Sequence, residues 1–257
     1  MLADEATHYT PLNGSARFGI PAHIHVCVTA SGSVILDVAR DKYLGLGRQE
    51  TELLANTVPG WPQARWPRIG SGDASKVLWA ANELCESLAR DGVLERIAEG
   101  EAASVRAPLR DMRAEWVSVG DELEVRGPVT PGRVVAFFAA FCWARFSLAW
   151  RPFSAVVEEV RVKKARAAGN SKGDIRRLAS MVDVFRRLRP WVFAAEGRCL
   201  LHALTLIRFL SHYQMYPEWV IGVTTQPWGA HSWVQWHSYL LDSNPEKVCG
   251  YMPILSV

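Results

Sequence analysis

The chain reads as an α+β protein in two parts, a small module of three strands and helices followed by a larger helical domain that ends in strands. Three observations predict this. Residues 23–29, His-Ile-His-Val-Cys-Val-Thr, alternate with the period of a half-buried strand. Apolar residues recur at helical spacing over 75–90, and 134–150 form a long apolar run. Residues 97–132, rich in charge, Gly and Pro, separate the two parts as a linker, leaving 21–96 and 133–257 as domains behind a flexible lead-in of 1–20.

In order, the 23–29 strand turns at Ala30-Ser31-Gly32, runs back over 33–38, and is followed by a third strand over 42–46. Residues 49–58 read as a short helix stopped by Pro59-Gly60. After a loop with proline and tryptophan, 75–90 is a helix whose Val77, Leu78, Ala81, Leu84, Cys85 and Leu88 share one face, with Gly92 as its stop. Residues 121–126 have strand character. The 134–150 run is interrupted by Arg145 and is too short for a membrane span of about 20 residues, so it is expected to be a buried helix, its aromatic residues packed on the helix that starts at Cys199. Residues 161–189 carry ten Lys and Arg against two Asp, most simply a solvated helical face, with an acidic peptide, a phosphate or an acidic partner surface as the functional options. The segment 253–257 suits an edge strand.

The balance of residues sets bounds on function. A chain of 257 residues that is 49% hydrophobic and 21% charged can bury two modest cores. Five cysteines at irregular spacing fit a reducing cytoplasm better than a disulfide framework, and no basic-then-apolar segment opens the first twenty residues as a secretory signal would. No Gly-x-x-x-x-Gly-Lys loop is present to hold a nucleotide, and 23–96 has about as many acids as bases, so nucleic acid is not an expected partner.

The candidate chemistry lies in the last sixty residues. Cys199, after Gly197-Arg198, opens an apolar helix, where free amides and the helix dipole favour a thiolate, and its own backbone N–H is a donor candidate for an oxyanion. His231, in Ala-His-Ser-Trp-Val, is expected on a strand crossing that helix, as base to the thiol and acid to a leaving amine. Asp242, eleven residues on, would hold the other ring nitrogen. The Gly229-Ala230 pair leaves room beside the ring, and Trp228 and Trp233 flank it. A rival reading is zinc, with Cys199 and His202 spaced i, i+3 and His231, His237 or Cys249 completing the set, but no Cys-x-x-Cys or His-x-x-x-His pair supports it.

A cysteine opening a helix, then a histidine and an aspartate on neighbouring strands, is the order of thiol hydrolases of transglutaminase-like, or papain-like, fold. More closely, Gly-Arg-Cys-Leu with Ala-His-Ser-Trp-Val and Asp242 resembles the leader peptidases of lasso-peptide biosynthesis, the B proteins of microcin-type maturation. That resemblance implies Cys199, His231 and Asp242 as nucleophile, base and orienting acid of an enzyme that removes the leader from a ribosomally made precursor. It also implies an ATP-dependent lasso cyclase as the partner that receives the core peptide, with any ATP dependence arising through that partner and no cofactor bound by this chain. The N-terminal strands and helices resemble the winged-helix-like precursor-recognition module of such systems. A Pro- and Gly-containing loop stands where that module usually has its middle helix. In such modules the leader adds as a strand beside the third strand, which implies Tyr43, Leu44, Leu46, Val77, Leu84 and Leu88 as groove residues. A non-enzymatic leader-binding scaffold and a transglutaminase-type acyltransferase are the alternatives.

Overall fold

The computed structural model describes residues 17–63, 66, 74–98, 116–119, 123, 125–167, 174–193 and 197–257. Its elements are β1 (Arg17–Gly19), β2 (Ile24–Thr29), β3 (Gly32–Asp37), β4 (Lys42–Leu46), α1 (Arg48–Thr57), α2 (Ala74–Arg90), β5 (Glu95–Ile97) and β6 (Val117–Ser118). There follow α3 (Pro131–Trp150), α4 (Phe153–Ala167), α5 (Ile175–Leu188), a 3-10 turn at Arg189–Trp191, α6 (Cys199–His212), β7 (Glu218–Thr225), β8 (Trp228–Trp236), β9 (Tyr239–Leu240), α7 (Pro245–Val248) and β10 (Met252–Ser256). The mixture of sheets and helices agrees with the α+β expectation.

The strands form three sheets, ordered β1-β5, β2-β3-β4 and β10-β7-β8-β9-β6. Two corrections to the sequence reading arise here. The lead-in was expected to run to residue 20, but Arg17–Gly19 already pairs antiparallel with Glu95–Ile97, closing the small module on itself. The linker was expected to span 97–132, yet Val117–Ser118 pairs in parallel with Tyr239–Leu240 and so belongs to the C-terminal sheet. Both pairings join segments far apart in sequence, which local periodicity does not reveal. Of the strand suggested at 121–126, residues 123, 125 and 126 are not in a strand, and the rest lies outside the described residues.

Strand β3 explains how the two parts are held. Its six residues are all buried because both faces are covered, which suits the apolar run Val34-Ile35-Leu36. Ile35 faces a small core with Phe18, Ile24, Leu54, Trp61, Cys85 and Leu88, beneath α1 and α2. Val34 and Leu36 face the opposite way, into the large core shared by α3–α6 and the C-terminal sheet. Ser31 Oγ at the β2–β3 turn meets Thr225 Oγ1 at the end of β7 at 2.6 Å, tying the modules together at a second point. The N-terminal sheet is therefore packed against the C-terminal domain.

In the large core, Phe137 of α3, Phe185 of α5 and Phe209 of α6 meet at ring separations of 5.4 to 6.4 Å, so the expected packing of aromatic residues on the Cys199 helix is present. The expectation of a fully buried α3 needs correction. This helix is long and apolar enough to cross a membrane by length and composition alone. Only the face with Phe137, Ala140, Ala144 and Ser147 is buried, while Val135, Phe146 and Trp150 are exposed. The 161–189 stretch divides between α4 and α5, and the apolar face of α5 is buried from Leu178 to Leu188, with Arg176, Arg177 and Arg187 exposed and Arg186 half-buried.

Candidate active site

Cys199 is the first residue of α6, as its place in the sequence predicts. Gly197 precedes it with φ +100°, a left-handed conformation that side-chain-bearing residues rarely adopt, and space around it is open. The glycine is thus required for the turn into the helix rather than for a close approach. Arg198 provides no side-chain cap and the first turn carries no acid, so the positive end of α6 is left for whatever occupies the cleft in front of it.

His231 lies in β8 opposite Gly222 of β7. Along β8, Val234 enters the large core beneath α6, whereas Trp233 packs on the other face with Trp116, Val220, Leu240 and Val248. The imidazole shares the face of Trp233, stacked at 6.2 Å and 21° between planes, and Tyr251 covers it at 5.3 Å. Gly222 admits the two rings that pack on this imidazole, since a Cβ there would stand 2.7 Å from the Trp233 ring and 3.0 Å from Tyr251 Cβ. Gly229, credited in sequence with the room beside the ring, makes only ordinary contacts, none under 3.5 Å. Trp228 is exposed and meets Tyr43 at 5.6 Å instead of flanking His231. Nε2 of His231 is buried without a hydrogen-bond partner among the described residues. Burial, then the charges of Lys247 and His202, push the imidazole pKa below its ordinary 6.5, which keeps the ring neutral near pH 7.

Asp242 follows β9, its side chain 6% exposed. The carboxylate was expected behind the His231 ring, but its contacts are elsewhere. Oδ2 is 2.7 Å from Nε2 of His202, one turn beyond Cys199 on α6, although the ring N–H is not aligned as a hydrogen bond. Arg186 Nε donates to Oδ1 at 3.2 Å, and Arg189 Nη1 reaches Oδ2 at 3.2 Å. Arg186 also donates to the backbone carbonyl of Leu241 at 2.9 Å, fixing the segment that bears the acid. The His202 ring is held between Phe185 at 5.3 Å and Phe193 at 5.0 Å. A buried carboxylate needs such partners, and two arginines with a histidine supply them. Sequence inspection assigned the 161–189 arginines to a solvated face and considered His202 only as a metal ligand; the i, i+3 spacing from Cys199 was the available signal.

Cys199, His231 and Asp242 line one cleft of about 720 Å³, together with His202, Arg186, Arg189, Arg198 and Lys247. The structure brings the three predicted residues to a common cavity while giving Asp242 to His202 and the arginines. Among the described residues no group of three His, Cys, Asp or Glu is placed to hold a metal ion. His237 has φ +54° in the β8–β9 turn, and Cys249 is exposed after α7.

The residues implied for a peptide groove fall into two classes. Tyr43 and Leu44 are exposed on β4, whose outer edge pairs with no strand among the described residues, and Val77 is exposed on the first turns of α2 beside Leu78 and Trp79. Leu46 and Leu84 are partly buried against the small core, and Leu88 is inside it at 4% exposed. Leu88 is a correction: it follows Ala81 and Cys85 on the buried stripe of α2 and has no surface left for a ligand. Burial, then the charge of Asp41, push the Tyr43 phenol up to about 12.

Neither a comparison with curated proteins nor one with solved structures yields a match. Residues 138–256 match the family described as Transglutaminase-like superfamily, which takes in α6, β7, β8 and Asp242. The C-terminal half of this chain therefore carries a transglutaminase-like core domain, a type that suggests thiol protease or acyltransferase chemistry.

Proposed function

We propose that the protein is a leader peptidase: it binds the leader of a ribosomally synthesised lasso-peptide precursor and hydrolyses the amide joining leader to core. One observation carries the reading. A cysteine at the open positive end of a helix and a half-buried neutral histidine share a cleft with a carboxylate, inside a transglutaminase-like domain. The Cys199 thiolate attacks the scissile carbonyl, and the free first-turn amides of α6 are the donors available to the oxyanion that develops. His231 takes the thiol proton and gives it to the leaving amine, after which water releases the leader from sulfur. Asp242 is the orienting acid. In that role its carboxylate has to pass from His202, Arg186 and Arg189 to the His231 ring when substrate fills the cleft.

The outer edge of β4, which pairs with no strand among the described residues, supports the recognition half of the reading. A leader strand added there would gain main-chain hydrogen bonds, with Tyr43, Leu44 and Val77 offering apolar contacts beside it. Trp228, in contact with Tyr43, continues that surface toward the strand bearing His231. An ATP-dependent cyclase would receive the core peptide. The test is to incubate the protein with the peptide encoded beside its gene and weigh the products. Two fragments whose masses sum to the precursor plus one water support hydrolysis. Addition of an amine at the cleavage point would make the protein an acyltransferase, and an intact precursor that still binds would make it a scaffold.

A further inference from the structure

The polar wall of the Cys199 cleft is lopsided in charge. Arg186, Arg189, Arg198 and Lys247 line it, against Asp242 as the one carboxylate among the described lining residues. Arg186 and Arg189 are engaged by that carboxylate. Arg198 and Lys247 are both exposed, and neither has an acidic partner among the described residues. They stand on two separate elements, Arg198 immediately before α6 and Lys247 within α7. The N-terminus of α6, with Arg198 as its cap residue, has no side-chain cap and no acid in its first turn, and adds to the same positive potential. Two cations with no acidic partner among the described residues, and a helix dipole, around one cavity attract an anion and select against a cationic segment.

We infer that the cleft holds an acidic side chain of the substrate, a Glu or Asp close to the bond cleaved, and that Arg198 and Lys247 are the residues that select it. This rests on the reading of the cleft as a peptidase site and narrows its substrate class to peptides acidic beside the scissile bond. A carboxylate is the ligand, rather than a phosphate, because the arginines of this same wall already grip a carboxylate in Asp242. Occupancy by a substrate carboxylate would also compete with Asp242 for Arg186 and Arg189, which provides a route by which the acid is released toward His231.

The test uses the full chain and needs no turnover, so its failure is separable from failure of the peptidase assignment. Alkylation of Cys199 by iodoacetamide is followed by mass spectrometry, with exposed Cys142 as the internal reference. Protection is compared for an acetylated, amidated hexapeptide of alternating Ala and Glu, its Gln counterpart, and inorganic phosphate. The Glu peptide is expected to half-protect Cys199 at a concentration roughly tenfold below that of the Gln peptide. That advantage should vanish in roughly 0.5 M sodium chloride. The double variant Arg198→Gln, Lys247→Gln should lose the preference while keeping the thermal midpoint. If that variant does not fold, the salt dependence in the unmodified chain still decides. Equal protection by the Glu and Gln peptides, or a preference that survives salt, overturns the inference. Stronger protection by phosphate than by the Glu peptide would make this a phosphate site and overturn it too.

Discussion

The Asp242 cluster yields a prediction that can be worked from its geometry. Asp242→Asn keeps the shape but removes the charge that Arg186 and Arg189 meet at 3.2 Å and His202 meets at 2.7 Å. At an effective dielectric of about 20, one ion pair at that separation is worth about 5 kcal/mol before desolvation, an upper bound. Two facts reduce it. The arginine side chains are 32% and 44% exposed, so water re-solvates them once the carboxylate is gone, and Asn retains one acceptor oxygen. A net loss of about 2 kcal/mol follows, less than the 3–5 kcal/mol typical of breaking a fully buried pair. For a chain of this size that corresponds to a fall of roughly 4–8 °C in thermal midpoint. Urea unfolding of wild type, Asp242→Asn, Arg186→Gln and the double variant measures it, with a coupling of about 1 kcal/mol between the two positions expected. A loss under about 0.5 kcal/mol, or strict additivity, would refute the view that this carboxylate is held by the arginines.

Other predictions are briefer. Because the His231 pKa is depressed, the unfolded chain binds the extra proton first, so this residue's contribution to stability is present above pH 6.5 and is lost as pH falls through its lower folded value. The acid-side loss should therefore be shallower in His231→Gln, and an unchanged slope would exclude the burial argument. Lys247→Gln removes one cause of that depression and should move the acidic limb of kcat/KM to higher pH; a shift to lower pH would contradict the assignment. Gly222→Ala drives a Cβ to 2.7 Å from the Trp233 ring and should cost about 1–3 kcal/mol with altered near-ultraviolet dichroism, whereas Gly229→Ala should cost less. Leu44→Asp should weaken leader binding by about tenfold or more with under about 0.5 kcal/mol of stability lost, since Leu44 is 42% exposed. Leu88→Asp should unfold the small module instead, and equal stability losses at the two positions would place Leu44 in the core.

The parts of this fold that were legible in sequence are those governed by local rules. Period-two alternation marked β2, the turn at Ala30-Ser31-Gly32 placed β3 behind it, and the helical period marked α2. The start of α6 at Cys199 was readable because Gly197 and Arg198 interrupt the chain just before an apolar run. What escaped depends on distant meetings. The pairing of β1 with β5 joins residues about eighty positions apart, and the grip of Arg186 and Arg189 on Asp242 spans more than fifty. An arginine on an amphipathic helix has the same local signature whether it faces water or a carboxylate from another element. The role of Gly222 was hidden for a related reason: a glycine within a strand signals a close approach, but not which ring makes it. The same limit affected Asp242, whose spacing from His231 suggested a partner that the packing of α5 and α6 against its segment supplied instead.

The central claim is that the sulfur of Cys199 cleaves a bound leader peptide with His231 as its acid and base. The most direct measurement is a paired assay on Cys199→Ala, following cleavage of the encoded precursor by mass and leader binding by fluorescence anisotropy. The account predicts no cleavage and an unchanged dissociation constant, since Cys199 lies in the C-terminal domain whereas the proposed leader edge is β4. Cleavage at the wild-type rate by this variant would contradict it.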